Sequence, residues 1–185
     1  MTLLLLLMML SLTVWLGGLI FFAFVVAPAL FSILPSTHLA GLVVTRALTV
    51  LHWMGIVSGL VYIFSSIAYS RLTTGSAHPF ALRHVLVSVM LILTCISQFA
   101  ISPRMHALRT SVGEIGSVPP DNPVRVQFNA LHVWSTRLEM AVFFMALIVL
   151  YLTARSIAGN SAGRPRFSSV ASQSARTIPT ANTKT

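Results

Sequence analysis

Residues 1–34, MTLLLLLMMLSLTVWLGGLIFFAFVVAPALFSIL, contain no charged side chain. Coiled as an α-helix at about 1.5 Å per residue, the stretch exceeds the roughly 30 Å of a bilayer's hydrocarbon core. It lacks a basic leader and is far longer than the apolar part of a secretory signal, about 7–15 residues. An uncleaved spanning helix is expected, over about residues 10–34. Further apolar runs lie near 48–69, 84–102 and 132–152. The expected fold is an all-α, integral membrane, up-down four-helix bundle, because short connections make consecutive helices antiparallel neighbours.

Composition points the same way. Charged residues make up only 8% of the chain, against about 25% in a soluble domain that must face water. Mean hydropathy is +0.86. With 185 residues there is room for one four-helix domain, residues 1–155, followed by a tail. The single Cys95 excludes an internal disulfide. Twelve Lys and Arg against three acids give a net charge of +9. These basic residues sit between apolar runs and in the tail, where they set topology and meet lipid headgroups. No nucleic-acid motif accompanies them, so the expected partner is the lipid bilayer and nucleic acid is not.

Breaks in the pattern place the helix ends. Pro28 is expected to kink the first helix, since proline removes a backbone donor and crowds the preceding turn. Pro35-Ser36-Thr37 ends that run and offers a hydroxyl cap to the second helix. Arg71 to Arg83 is a polar connection. The third helix meets Pro103, and Met105, Leu108, Val112 and Ile115 recur beyond it at helical steps, so an amphipathic turn or two should continue outside the hydrocarbon. Gly116 to Pro123 is turn-rich and sets up the fourth helix. Residues 156–185 hold few large apolar side chains and are expected to form a disordered basic tail.

An even number of spans puts both termini on one side. That side carries Arg71, Arg83, Arg155, Arg164 and Arg166 near the membrane, and the other carries Arg46, Arg104, Arg109 and Arg125. The bias makes both termini cytoplasmic, in a plasma or inner membrane.

The second helix has the clearest interior stripe. His52, Gly55, Gly59, Tyr62, Ser66 and Tyr69 recur at steps of three and four. Small residues let helix backbones approach in lipid, and close packing is the simplest explanation of this face. Ionisable groups are more informative, because burying them costs several kcal/mol unless they are paired or functional (order of magnitude). Glu139 is the only acid within any span, and His132, Ser135 and Glu139 share one face of the fourth helix. On the third helix Cys95, Gln98, Ser102 and Met105 form a comparable stripe. Topology then places His52, Arg104, His106 and His132 at a similar depth, near the non-cytoplasmic interface.

Short motifs resemble those of a known family. Val14-Trp15-Leu16-Gly17-Gly18, Val26-Ala27-Pro28-Ala29-Leu30-Phe31, Ile101-Ser102-Pro103-Arg104 and Phe128-Asn129-Ala130-Leu131-His132-Val133-Trp134-Ser135 resemble the transmembrane protein 205-like family of four-helix membrane proteins. The likeness covers about residues 11–152. It implies the same fold and no settled activity. It also resembles, more distantly, copper-resistance and haem-linked membrane proteins, which implies haem b or copper on His52 and His132; the dense methionine motif of copper proteins is missing here.

The sequence shows no paired carboxylates, no nucleophile with a base and no phosphate-binding glycine loop. The expected function is therefore non-enzymatic, binding a small ligand or partner at the polar non-cytoplasmic end. Arg104 would hold an anionic group, His132 and Ser135 would orient it, and Arg137 with Glu139 would form an internal pair. The alternative is a haem- or copper-binding protein of redox chemistry or metal tolerance, with His52 and His132 as ligands. A transporter is a third reading. Four helices enclose little volume, so it would require a homo-oligomer.

Overall fold

A computed structural model of the chain describes residues 1–74 and 82–162. Four helices are long and apolar enough to cross a membrane: Thr2–Ile33, Thr37–Leu72, Leu82–Val112 and Pro123–Ser156. Each has more than 30 residues, whereas about 20 suffice to span the hydrocarbon, so every rod continues past it. The chain is an all-α, multi-pass membrane protein built as a four-helix bundle, Met1–Leu152. In the unit that follows, the last helix runs on to Ala162. The rest of the expected tail, 163–185, lies outside the described residues, as does most of the 71–83 connection.

Local chemistry fixes the ends. Ser36 caps the second span, its Oγ accepting from the Leu39 N–H at 3.1 Å. The third span carries on past Pro103 as the helix Ser102–Val112, the expected amphipathic continuation. It stops at Gly113, whose φ of 71° is one that a side chain would disfavour. A short 3-10 turn, Ile115–Ser117, leads to Asn122, whose Oδ1 accepts from the Val124 N–H at 2.9 Å with Pro123 in the first helical turn.

Two prolines widen the helices just before them. The turns Phe22–Val26 and Ser97–Ile101 are π-helical: the Ala27 N–H reaches back to the Phe22 carbonyl and the Ser102 N–H to the Ser97 carbonyl. Pro28 and Pro103 follow directly. Neither ring can donate to the carbonyl four residues back, and the wider turn relieves its clash. The deviation expected at Pro28 is therefore a local π turn, and Pro103 produces a second one.

Side-chain pairs give the register. His52 meets Gln98 and Ser66 meets His84, so fourteen residues forward along the second span match fourteen backward along the third. Gly59 against Leu91 falls on the same antiparallel register. The core is made by Met8, Leu12, Trp15, Leu16 and Leu19 with Leu51, Tyr62, Val87, Met90, Val142, Ala146 and Val149. The small-residue stripe has a specific occupant here. A Cβ on Gly55 or Gly59 would lie 2.6 or 2.7 Å from the Trp15 indole, so both glycines exist to seat that ring. Around the outside, Phe24, Phe64, Ile92 and Phe144 are all exposed, as a bilayer solvent requires.

Candidate functional site

Among the buried polar side chains, His52 stands out. It is 2% exposed, and both ring nitrogens are engaged. Nδ1–H donates to Gln98 Oε1 at 2.9 Å, and Nε2 lies 2.6 Å from Glu139 Oε1. Ser97 Oγ donates to the same carboxylate oxygen at 3.3 Å. With Nδ1–H committed to Gln98, one further proton lies between Nε2 and Oε1. On either atom it leaves the pair electrically neutral, the arrangement that a low-dielectric setting tolerates best.

The cluster draws on the π turn. Ser97 and Gln98, adjacent in sequence, address the two members of one pair, Ser97 reaching Glu139 and Gln98 reaching His52. In a regular helix neighbours point about 100° apart, and the extra residue in the turn adjusts that splay. Pro103 thus shapes the site from a full turn away.

Exposed aromatic side chains lie on the outer surface around it. Trp53 and Phe99, one residue beyond His52 and Gln98, meet edge to face at 5.9 Å and both are exposed. Trp134 is exposed too, with the Arg137 guanidinium 5.5 Å above its ring. An exposed Trp of this sort suits the hydrocarbon boundary, and Trp134 lies five residues, about 7 Å, outward of Glu139.

The expected site residues are only partly brought together. Glu139 belongs to the cluster, and Ser135 is buried one turn away on the same helix face. Arg137 does not pair with Glu139; it is exposed and stacks on Trp134. Arg104 and His132 are exposed. The shared depth expected for His52, Arg104, His106 and His132 is corrected at His52 alone. His52 lies level with Gln98 and Glu139, and His132 lies seven residues, about 10 Å, along the axis from Glu139. Helix starts explain this. His52 is fifteen residues into its helix and Glu139 sixteen into its own, whereas His132 is nine.

That geometry bears on the haem or copper reading. Among the described residues no three His, Cys, Asp or Glu side chains are grouped as a metal would need. His52 has no ring nitrogen to spare, and His132 lies on another level, so these residues do not fit as a ligand pair.

Sequence reasoning missed Ser97 and His84. His84, 4% exposed, hydrogen-bonds through Nε2 to Ser66 Oγ at 2.8 Å near the other end of the bundle. A signal was present: His84, Val87, Thr94 and Gln98 follow one helical face. Trp15, Val87, Met90, Val142 and Ala146 pack between the two polar layers.

A family model described as a domain of unknown function, DUF4149, matches residues 10–113. The chain belongs to the DUF4149 family. In this DUF4149 protein the match takes in nearly all of the first three spans, with His52, Ser97 and Gln98, and ends at Gly113. Glu139, on the fourth span, comes from outside it. Comparisons with curated proteins and with solved structures return no match.

Proposed function

We propose that this is a non-enzymatic membrane binding protein whose second and third spans form a carboxylate-accepting cluster. One observation carries the reading: two polar side chains from different spans, His52 through Nε2 and Ser97 through Oγ, converge on a single oxygen of Glu139. The fourth span fills the cluster with its own carboxylate. A small carboxylic acid, or an acidic side chain of a partner helix, has the chemistry to take Glu139's place, and displacement of Glu139 would loosen the fourth span. The ligand approaches from the aromatic-belted end, which the basic-residue bias places on the non-cytoplasmic side. The likeness to transmembrane protein 205-like proteins is part of the same reading and adds no activity to it.

Chemical rescue tests this. Glu139→Ala vacates the cluster and lowers thermal stability in detergent. Formate or acetate then raises it, and chloride at equal ionic strength does not. The double variant His52→Ala with Glu139→Ala should show no such gain. Equal responses of the single and double variants to formate would refute the cluster. An absorption spectrum and elemental analysis of the purified protein check the haem or copper alternative.

A further inference from the structure

The membrane-exit end of the third span holds a second constellation, separate from the His52 cluster. Arg109 is partly buried where three spans meet. Its Nη1 donates to Thr45 Oγ1 at 3.3 Å, and its guanidinium carbon lies 5.2 Å from the centre of the Phe128 ring. The group rests on the bare backbone of Gly41, where a Cβ would come within 2.7 Å of Nη2. A guanidinium has five donors, and no carboxylate reaches Arg109 among the described residues.

His38 lies on the same face, one turn before Gly41 and two before Thr45. Its Nδ1 is buried and bonded to nothing among the described residues. A buried ring nitrogen without a partner is costly, and a bound ligand would satisfy it. Surrounding charge selects the ligand's sign. Arg46, Arg104, Arg109 and Arg125 gather at this end, against Glu114 and Asp121, both exposed.

Depth narrows the ligand further. Arg83 and Arg104 bracket the third span 21 residues apart, about 32 Å, close to the hydrocarbon thickness. Arg109 is five residues beyond Arg104, about 7 Å farther out, where lipid headgroups lie. We infer that Arg109 and His38 form a phosphate-binding site, with Gly41 clearing room for the guanidinium and Thr45 and Phe128 orienting it. Arg suits this task because its planar fork matches two phosphate oxygens. An anionic phospholipid presents such a group at this depth, and free phosphate shares the chemistry.

The test uses the full chain purified in a neutral, phosphate-free detergent, with thermal unfolding as readout. Short-chain phosphatidylglycerol should stabilise it, and diacylglycerol, which lacks the phosphate, should not. Arg109→Gln should weaken the apparent affinity about tenfold, the effect of losing a charge-assisted hydrogen bond. Gly41→Ala should do the same with the charge retained, by displacing the guanidinium. Arg71→Gln, an equal charge change at the other end, should leave affinity unchanged. Should Arg109→Gln fail to fold, Gly41→Ala and His38→Phe decide the matter. Stabilisation by inorganic phosphate at similar concentrations identifies a free anion; stabilisation by phosphatidylglycerol alone identifies a headgroup. Wild-type affinity in both Gly41→Ala and His38→Phe, or an equal response to diacylglycerol, overturns the site.

Discussion

His52 Nε2 and Glu139 Oε1 lie 2.6 Å apart, although 87 positions separate the two residues in the chain. The contact joins the DUF4149 domain, residues 10–113, to a helix beyond it. No other ion pair forms among the described residues, and in this one His52 is buried and Glu139 partly buried. It also sets level and rotation: Glu139 meets His52 and Ser97 only with the fourth span at one height and one face turned inward.

Replacement of Glu139 should depend on whether a hydrogen-bonding partner survives. Glu139→Gln keeps an amide opposite Nε2, whose NH2 can donate to it, and is expected to cost under about 1 kcal/mol. Glu139→Leu leaves His52 Nε2 buried without a partner and should cost about 2 kcal/mol. Unfolding of both variants in one detergent, followed by circular dichroism, measures the difference.

Pro103→Ala removes the reason for the π turn at Ser97–Ile101. A regular helix would rotate Ser97 and Gln98 apart, so the imidazole nitrogen signals of His52 in magnetic resonance should shift. Pro28→Ala relaxes the other π turn, far from the cluster in sequence and on a span that supplies none of its groups, and should leave those signals in place.

The Trp15 seat gives a packing prediction. Gly55→Ala and Gly59→Ala each drive a methyl into the indole and should destabilise by about 1–3 kcal/mol. A Cβ on Gly17 meets nothing within 4 Å, so Gly17→Ala should be neutral or slightly stabilising. Thermal unfolding of the three variants side by side checks the contrast.

The fold was legible because lipid imposes a coarse rule. Residues 1–34 need only be apolar and long enough, and the hydroxyl cap at Ser36 and the helix beyond Pro103 follow from equally local chemistry. Glu139 was legible as the lone acid in a span. Its partner was not, because apolar runs do not show where along each helix the hydrocarbon begins. The second helix's start near Thr37 was legible, but taking its membrane part to begin near Leu51 put His52 at the surface, whereas it lies level with Glu139. Ser97 was hidden for another reason: a serine in an apolar run reads as small packing, and only the fourth span's carboxylate gives its hydroxyl a partner.

At the opposite end, Ser66→Ala removes the partner of His84 Nε2, with both residues buried. A loss of about 1 kcal/mol is expected, with no change in the formate response of Glu139→Ala, since the packed core lies between the layers. The same unfolding assay, with and without formate, reads both.

A double-mutant cycle on His52→Leu and Glu139→Leu addresses the polar joint between the three-span domain and the fourth helix most directly. Each single variant strands a polar partner in the core, whereas the double variant replaces both with apolar groups. The double variant should therefore be more stable than the sum of the single losses implies, by about 2 kcal/mol or more. Additivity within about 0.5 kcal/mol would mean that the two residues do not act as a pair, and would contradict the joint.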